Sequence, residues 1–199
     1  MEFDPGTLEP PARYRLLIGT ILPRPIAWIS SVSAEGVANL APYSFFAGVT
    51  AHPPTLVVGV AKRRGVVKDT ARNLLETGEA VVHIAHRALA EAMVATSADV
   101  APEVDEFDLA KLPRAPARHV RPVRLADARI AFECRVVNHL EVGSQAADVF
   151  FLEAVWIHVA DEILAGDLPD PTKLDAVGRL GGAEYCAVAD IFSIPRPKP

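Results

Sequence analysis

Hydrophobic residues along the chain recur mainly in short runs and at every second position, a pattern that is typical of β-strands. The pattern predicts strands over residues 26–32, 37–40, 56–61, 80–85, 130–142 and 149–160. Residues 33–36 form the predicted turn of a β-hairpin, and residues 41–49 are predicted to be a loop of small and aromatic side chains. Because few helices alternate with these strands, we expect a mainly β protein with peripheral helices, built as a β-barrel.

Helix signals are fewer than strand signals. Thr7 is the predicted cap of a helix over residues 9–18, with Gly19 just beyond its end. A second helix is predicted over residues 69–76. Shorter helical segments are predicted near residues 87–94, 103–110 and 170–176. Apart from the helical segment near 103–110, the proline-rich stretch 98–118 is predicted to lack regular structure, and we call this stretch the excursion. A segment of this length without regular structure is unusual unless it has a function.

Composition and charge narrow the class of protein. Half of the 199 residues are hydrophobic and 23% are charged, so the chain can bury a core. We expect one domain over residues 1–199, with its core at about 14–187 and a tail at 188–199. A net charge of −5 argues against a general nucleic-acid binder. The chain shows no apolar run of membrane-spanning length and no signal segment, so we expect no membrane contact and a cytoplasmic location.

The most informative charge pattern lies in residues 62–73. Four cations fall within its first seven positions: Lys62, Arg63, Arg64 and Lys68. They lead directly into the predicted helix start at Asp69 and Thr70. Free N–H groups and the positive dipole end of a helix attract anions, and Lys and Arg add charge-assisted hydrogen bonds. The pattern therefore predicts a phosphate site, and the alternative is a solvated loop before an ordinary capped helix.

A second polar cluster occupies residues 39–46. Asn39 and Ser44 are polar groups in a loop rich in backbone N–H groups, which suits the edge of a planar heteroaromatic ring. The alternative is a strand end that carries a pair of core aromatic side chains. Trp28 could stack on such a ring or could belong to the core.

Other kinds of chemistry find little support in the sequence. His83 and His86 are three positions apart on a predicted strand, so their side chains point to opposite faces and do not suggest a metal site. No serine lies in a nucleophile-elbow pattern. Cys134 and Cys186 are too few for a disulfide scaffold and suggest inert thiols. We predict neither a metal ion nor a catalytic side chain.

Four segments together resemble the flavin reductase-like family of FMN-binding split barrels, and in particular its flavoredoxin-like branch. They are residues 23–31, 39–46, 68–73 and 179–185. The resemblance extends over nearly the whole chain, from Tyr14 to about Tyr185. It implies a split β-barrel that forms a homodimer, with FMN in a cleft near the subunit interface.

The resemblance also implies roles for individual residues. Those that would hold the phosphate are Lys62, Arg64, Lys68 and Thr70, with Asp69 capping the helix and Asn73 in support. Those that would meet the flavin ring edge or the ribityl chain are Asn39, Ala41 and Ser44. Trp28 would pack against the ring. The segment that would cover the ring, from the same subunit or its partner, comprises Gly181, Gly182 and Tyr185, and residues 178–182 are predicted to be flexible.

The function that the resemblance implies is hydride transfer from NAD(P)H to FMN, with electrons passed to an acceptor or a partner monooxygenase. Leu152 stands where family members often have a glycine before the glutamate at Glu153, and this departure favours a non-enzymatic FMN electron carrier as the alternative. Two further alternatives stay open. One is an oxidase of another small molecule, similar to pyridoxamine-phosphate oxidases, and the other is a protein without a cofactor.

Overall fold

A computed structural model of the protein describes residues 1–144 and 147–197. The helices are α1 (Pro10–Thr20), α2 (Asp69–Thr77), α3 (Ala90–Ala95), α4 (Glu106–Leu109) and α5 (Pro171–Leu174), with 3-10 turns at Arg87–Leu89 and Asp161–Ile163. The first strands are β1 (Arg24–Pro25), β2 (Ala27–Val32), β3 (Ala38–Tyr43), β4 (Phe46–Ala51), β5 (Pro54–Ala61) and β6 (Glu79–Ile84). The later strands are β7 (Arg114–Ala115), β8 (Arg124–Leu125), β9 (Ile130–Val142), β10 (Ala147–Val159), β11 (Leu164–Ala165), β12 (Leu168–Pro169), β13 (Val177–Arg179) and β14 (Tyr185–Ala187).

The central element is an antiparallel sheet with the strand order β3–β2–β6–β9–β10–β5–β4. Its two outer strands, β3 and β4, are consecutive in the chain and are separated only by Ser44 and Phe45. At this corner the N–H of Gly59 in β5 donates to the carbonyl of Phe45 at 2.8 Å. The two edges of the sheet therefore belong to one bent segment, and the sheet closes on itself as a barrel. The predicted mainly β fold with peripheral helices is confirmed.

The predicted loop at residues 41–49 is wrong. β3 continues through Pro42 to Tyr43, and β4 follows at once. Pro42 is compatible with a strand here because β3 pairs with β2 on one side only, where Pro42 faces Trp28. The small and aromatic residues that suggested a loop are the two halves of the bent segment.

Local signals placed most helices correctly but misjudged some ends. α1 begins at Pro10, and the Thr7 hydroxyl donates to the carbonyl of Asp4 and does not cap the helix. Gly19 lies inside α1, which buries none of its side chains. α2 ends as expected at Gly78, in the left-handed conformation at φ 70°.

Two further predictions concern the end of the chain. Residues 178–182, predicted to be flexible, are partly ordered as β13, which pairs with both β1 and β14. The predicted tail at 188–199 has no regular structure over residues 188–197. Residues 198 and 199 lie outside the described part of the chain, as do residues 145 and 146 in the predicted turn between the two long strands.

Two hydrophobic clusters hold the fold together. The first fills the barrel and includes Ile29, Phe150 and Leu152. The second packs the other face of β2 against the excursion, and here Trp28 and Phe107 are fully buried. Alternation along β2 sends neighbouring side chains into different clusters. Burial of each large side chain contributes about 1.5–3 kcal/mol, so the excursion is anchored to the barrel through α4.

Candidate functional site

A cleft of about 880 Å³ lies between the basic loop with the start of α2 on one side and the excursion on the other. We call it the main cleft. Its exposed margin carries the four cations of the basic loop, which we call the cationic rim: Lys62, Arg63, Arg64 and Lys68. Its base carries four hydrogen-bonded polar side chains, which we call the polar floor: Asn39, Tyr43, Thr70 and Glu106.

A tight turn shapes the cationic rim. Arg63 and Val66 exchange two backbone hydrogen bonds of 2.8 Å, and the two residues between them have positive φ, 49° at Arg64 and 82° at Gly65. Two consecutive left-handed residues define a type I′ turn. The turn places Arg64 at the tip of the loop, and glycine suits the second position because a side chain there is strained.

Ion pairs hold two rim cations at the edges of the cleft. Lys62 Nζ lies 2.8 Å from Glu141 Oε1, and this hydrogen bond raises the pKa of Lys62 and lowers the pKa of Glu141. Arg63 pairs with Asp99 of the excursion, so one ion pair spans the cleft between its two sides. Arg63, Asp99 and Glu141 are exposed and Lys62 is partly buried, so both pairs have at least one partner in water and contribute little to stability.

The N-terminus of α2 opens into the main cleft. The first helical hydrogen bond runs from the N–H of Arg72 to the carbonyl of Lys68, and no side chain caps the helix. The N–H groups of Asp69, Thr70 and Ala71 meet no acceptor within residues 1–144 and 147–197. Free N–H groups at a helix start, beside several cations, form a site for an anion.

The polar floor is a buried hydrogen-bonded chain drawn from three elements. Glu106 of α4 accepts both from the Asn39 amide, at 3.0 Å to each oxygen, and from the N–H of Leu40 at 2.9 Å. The Thr70 hydroxyl donates to Asn39 Oδ1 at 2.6 Å, and the Tyr43 hydroxyl donates to Thr70 at 2.9 Å. Burial raises the pKa of Glu106, an effect that the hydrogen bonds from Leu40 and Asn39 oppose. Burial also raises the pKa of Tyr43, which keeps its proton at neutral pH.

A second groove of about 680 Å³ continues from the main cleft. The two share Pro42, Tyr43, Lys68 and Ser97, and two of these residues belong to β3, so the path follows β3 from one to the other. The predicted residues that line the second groove are Ser44, Gly181, Gly182 and Tyr185. The Arg179 guanidinium donates to the Tyr185 hydroxyl and lies over its ring at 4.4 Å, which orders this covering segment.

Arg24 holds the walls of the second groove in place. Its guanidinium donates to the carbonyls of Ile18 and Ile21 at the end of α1 and to the carbonyl of Leu180 at 2.9 Å. Its Nε also approaches Ser44 Oγ at 3.4 Å. Arg24 is buried, with 4% of its surface exposed, so these bonds connect α1, β1 and the hairpin of β13 and β14 in one cluster.

The structure brings most of the predicted residues to this continuous cleft. The main cleft contains Asn39, Ala41, Lys62, Arg64, Lys68, Asp69 and Thr70. Asp69 is the first residue of α2 and pairs with Arg72 at 2.7 Å, so the prediction that its side chain caps the helix is wrong. Asn73 lies on the buried face of α2, donates to Ser31 at 3.1 Å, and is outside the lining of the main cleft.

Two predicted contacts lie in the core instead of on the cleft surface. Trp28 is 1% exposed, and its ring nitrogen donates to Thr96 at 2.9 Å. It therefore supports the wall from inside, and we do not retain it as a ring contact. Leu152 is fully buried inside the barrel, so it presents no surface to a second ligand. Leu152 therefore gives no reason to prefer a non-enzymatic electron carrier over an enzyme.

Sequence reasoning missed three residues of the site. Glu106 lay in an excursion whose length was the only signal of a function, and nothing in its local sequence connects it with Asn39. Tyr43 lies inside the 39–46 segment but was not assigned a role. Arg24 lies inside the 23–31 segment but was not assigned a role, although a buried arginine with three carbonyl acceptors organises the second groove.

Comparison with known proteins identifies the class. Residues 18–170 match the family described as the flavin reductase like domain, and the chain belongs to this family. A protein of Halalkalibacterium halodurans is 39% identical over 99% of this chain and 97% of its own. Nitrilotriacetate monooxygenase component B from Bacillus cereus is 34% identical, with a TM-score of 0.95 over 98% of both chains. The Pseudomonas fluorescens 2-nitrobenzoate 2-nitroreductase NbaA is 29% identical, with a TM-score of 0.85 over 99% of this chain and 96% of its own.

Family membership confirms the predicted split β-barrel and supports a role in flavin-linked oxidation and reduction. In the described ranges 1–144 and 147–197, no three His, Cys, Asp or Glu side chains cluster as a metal site. Every helix within these ranges is too short or too polar to cross a membrane.

Proposed function

We propose that the protein is an FMN-binding oxidoreductase that takes a hydride from NAD(P)H and passes electrons to an acceptor. The observation that carries this proposal is the meeting of the cationic rim with the open N-terminus of α2. Two residues that line the cleft, Asp69 and Thr70, have backbone N–H groups without an acceptor in the described chain, and with the four cations beside them they are the donors that a phosphate monoester requires.

The donor set of the main cleft fits the phosphate end of FMN. Arg64 and Lys68 would provide charge, and the N–H groups of Asp69 and Thr70 would provide directed hydrogen bonds. Lysine and arginine are poor proton donors at neutral pH, so their role is to neutralise charge and not to act as acids. The Thr70 hydroxyl donates to Asn39, and therefore Thr70 would contact phosphate through its backbone.

The flavin ring would extend along β3 toward the second groove. Ala41 offers a small side chain and a close backbone, and Ser44 stands at the entrance to the groove. Gly182 and Tyr185 would cover the ring from the other side. The floor side chain of Asn39 is fully engaged with Glu106 and Thr70, so its role would be to shape the wall and not to bond the ring.

The isoalloxazine ring supplies, when bound, reversible two-electron chemistry with NAD(P)H as the hydride donor. The chain's own residues would bind and orient it, exclude water with the covering segment, and place positive charge near the cleft. No side-chain nucleophile is required for this chemistry, which agrees with the absence of a nucleophile motif in the sequence.

We propose further that the protein acts as a homodimer. Apolar side chains on the outer faces of β4 and β9 are about half exposed, namely Val49 at 52%, Val137 at 54% and Leu140 at 49%. The tail adds Phe192 at 80% and Ile194 at 79%. A second copy of the chain would remove these surfaces from water, and sedimentation analysis of the wild type and of Val137→Glu would test this. We expect a dimer that the charged variant dissociates, and a wild-type monomer at every concentration would contradict it.

The electron acceptor that we propose is a partner monooxygenase. Support comes from the 34% identity and full-length likeness to a protein named as component B of a monooxygenase. The partner would receive electrons through reduced flavin.

The proposed function is tested by the visible absorption spectrum of the purified protein loaded with FMN, followed by NADH or NADPH without oxygen. We expect flavin bands that bleach rapidly on addition of one of the two nucleotides. Bands that persist with both nucleotides would support an electron carrier with another donor. A protein that does not bind added FMN would overturn the cofactor proposal.

A further inference from the structure

The excursion at residues 98–118 contributes a buried carboxylate to the main cleft. Glu106 stands on α4, directly beside Phe107, which anchors this helix in the second hydrophobic cluster. Glu106 is 4% exposed, and its carboxylate accepts from Asn39 Nδ2 and from the N–H of Leu40, both on β3. A carboxylate in this position connects the excursion to the strand along which the cleft runs.

The carboxylate determines the direction of every hydrogen bond in the polar floor. An ionised carboxylate can only accept, so the Asn39 amide must turn its NH₂ toward Glu106. The Asn39 oxygen then faces the opposite way and accepts from the hydroxyls of Thr70, at 2.6 Å, and Ser31, at 3.2 Å. Thr70 in turn accepts from Tyr43. One buried acceptor therefore orients three donors in sequence.

This order has a consequence for the start of α2. Thr70 is the second residue of the helix, and its hydroxyl is held inward against Asn39. The first turn of α2 is thereby tied to β3 by a short hydrogen bond in a buried environment, where such bonds are strong. The backbone N–H groups of Asp69 and Thr70 have no acceptor in the described chain, and both residues line the cleft.

We propose that Glu106 is a positioning residue for the phosphate half of the cleft. It acts through Asn39 and Thr70 and fixes the first turn of α2 in the orientation that receives a phosphate monoester. The inference rests on the proposed function, because it assigns to Glu106 a role in FMN binding. It predicts that Glu106 matters for a flavin that carries phosphate and not for one that lacks it.

The test compares the Kd of FMN with the Kd of riboflavin, which lacks the phosphate, for the wild type and Glu106→Gln. Glutamine has nearly the same shape but brings an NH₂ group, and this group faces the NH₂ of Asn39 in either orientation because Asn39 Nδ2 contacts both carboxylate oxygens. When Asn39 turns over to relieve this donor–donor contact, Thr70 and Ser31 lose their acceptor. We expect the Kd of FMN to rise about tenfold and the Kd of riboflavin to change less than about twofold.

Glu103→Gln is the matched control, because Glu103 is an exposed carboxylate on the same excursion. It should leave both Kd values unchanged. If Glu106→Gln weakens the binding of both flavins equally, or of neither, Glu106 has no specific role in the phosphate half and the inference fails. A wild-type protein that binds neither flavin would overturn the proposed function itself, which is a separate outcome.

A second pair of variants decides the matter if Glu106→Gln does not fold. Thr70→Ser keeps the hydroxyl that donates to Asn39, and Thr70→Val removes it with little change of volume. We expect the serine variant to retain the wild-type preference for FMN over riboflavin and the valine variant to lose most of it. A valine variant that keeps the full preference would overturn the inference.

Discussion

The cationic rim and the polar floor lie on the same cleft but are built in opposite ways. The rim comes from one short loop, its side chains reach into water, and its ion pairs, such as Arg63 with Asp99, involve exposed partners. The floor joins residues that are far apart in the chain, such as Asn39 and Glu106, and its hydrogen bonds are buried. Exposed charge pairs contribute little to stability, whereas an unpaired buried charge is costly.

This difference implies a division of roles. The rim should control affinity for an anionic ligand and its dependence on salt, with little effect on folding. The floor should control both the stability of the cleft and its geometry, because each member is held by another. Substitutions on the rim should therefore change binding without changing folding, whereas substitutions on the floor should change both.

The largest effect is expected on the floor. Asn39→Ala removes the amide that bonds Glu106 and the oxygen that accepts from Thr70, so a buried carboxylate and a buried hydroxyl lose partners. The free energy of unfolding should fall by about 4 kcal/mol. Urea denaturation measures this, with the exposed Asn138→Ala as control. A loss below about 1 kcal/mol would contradict the importance of the floor.

The second largest effect is expected on the free energy of unfolding as the pH changes, and it comes from the buried His83. His83 is fully buried and neutral: Nε2 accepts from the N–H of Leu125 at 2.9 Å, and Nδ1 donates to the carbonyl of Trp28 at 2.8 Å. Burial lowers the pKa of His83 from 6.5 to about 4. Between these values the unfolded chain binds a proton and the folded chain does not. The stability contribution is complete above pH 6.5 and is lost as the pH falls toward 4, by about 3 kcal/mol.

Urea denaturation of the wild type and of His83→Gln across pH 4–7 measures this contribution. Glutamine cannot titrate, so the difference in unfolding free energy between the two proteins should shrink as the pH falls. His52→Gln, at an exposed position, should show no such trend. A constant difference between wild type and His83→Gln over the whole pH range would contradict the buried neutral state.

On the rim, the expected effect is on binding alone. Arg64→Glu at the tip of the turn should weaken FMN binding about tenfold and leave riboflavin binding unchanged, because only the phosphate of FMN meets the reversed charge. The midpoint of urea unfolding should stay at its wild-type value. Lys111→Glu, an exposed charge reversal on the excursion, is the control. Unchanged FMN affinity in Arg64→Glu would support the alternative of a solvated loop.

The smallest effect is expected at the turn that supports the rim. Gly65 has φ 82°, a conformation that strains any residue with a Cβ atom. Gly65→Ala should lower the free energy of unfolding by about 1 kcal/mol. Gly48→Ala is a suitable control, since Gly48 lacks the positive φ and an added Cβ there meets no atom within 4 Å. Equal stability of the two variants would mean that the turn tolerates a different geometry.

The elements that could be predicted from sequence are those with local signals. The long hairpin strands β9 and β10 show sustained hydrophobic runs, and α2 has a left-handed glycine at its end. The cationic rim was visible because its charges are contiguous. The order of the four family segments then added the split barrel, which the likeness to solved structures confirms.

The features that could not be predicted depend on contacts between distant residues. Glu106 meets Leu40 across 66 positions, and no local pattern encodes that contact. The loop predicted at 41–49 failed because small residues and proline suggest a turn, whereas closure of the barrel makes the segment a bent edge strand. A tryptophan at position 28 is compatible with a contact to the flavin ring or with a place in the core. Only the hydrogen bond of its ring nitrogen to Thr96 shows that it lies in the core.

The central claim is that the main cleft holds a flavin by its phosphate. It is tested most directly by titrating the wild-type protein with FMN and with riboflavin while flavin fluorescence is followed. The titrations are done at low salt and at about 0.5 M salt, because added salt shortens the distance over which charges interact. The account predicts that FMN binds at least about tenfold more tightly than riboflavin at low salt and that salt narrows this difference. Equal affinity for the two flavins, independent of salt, would contradict it.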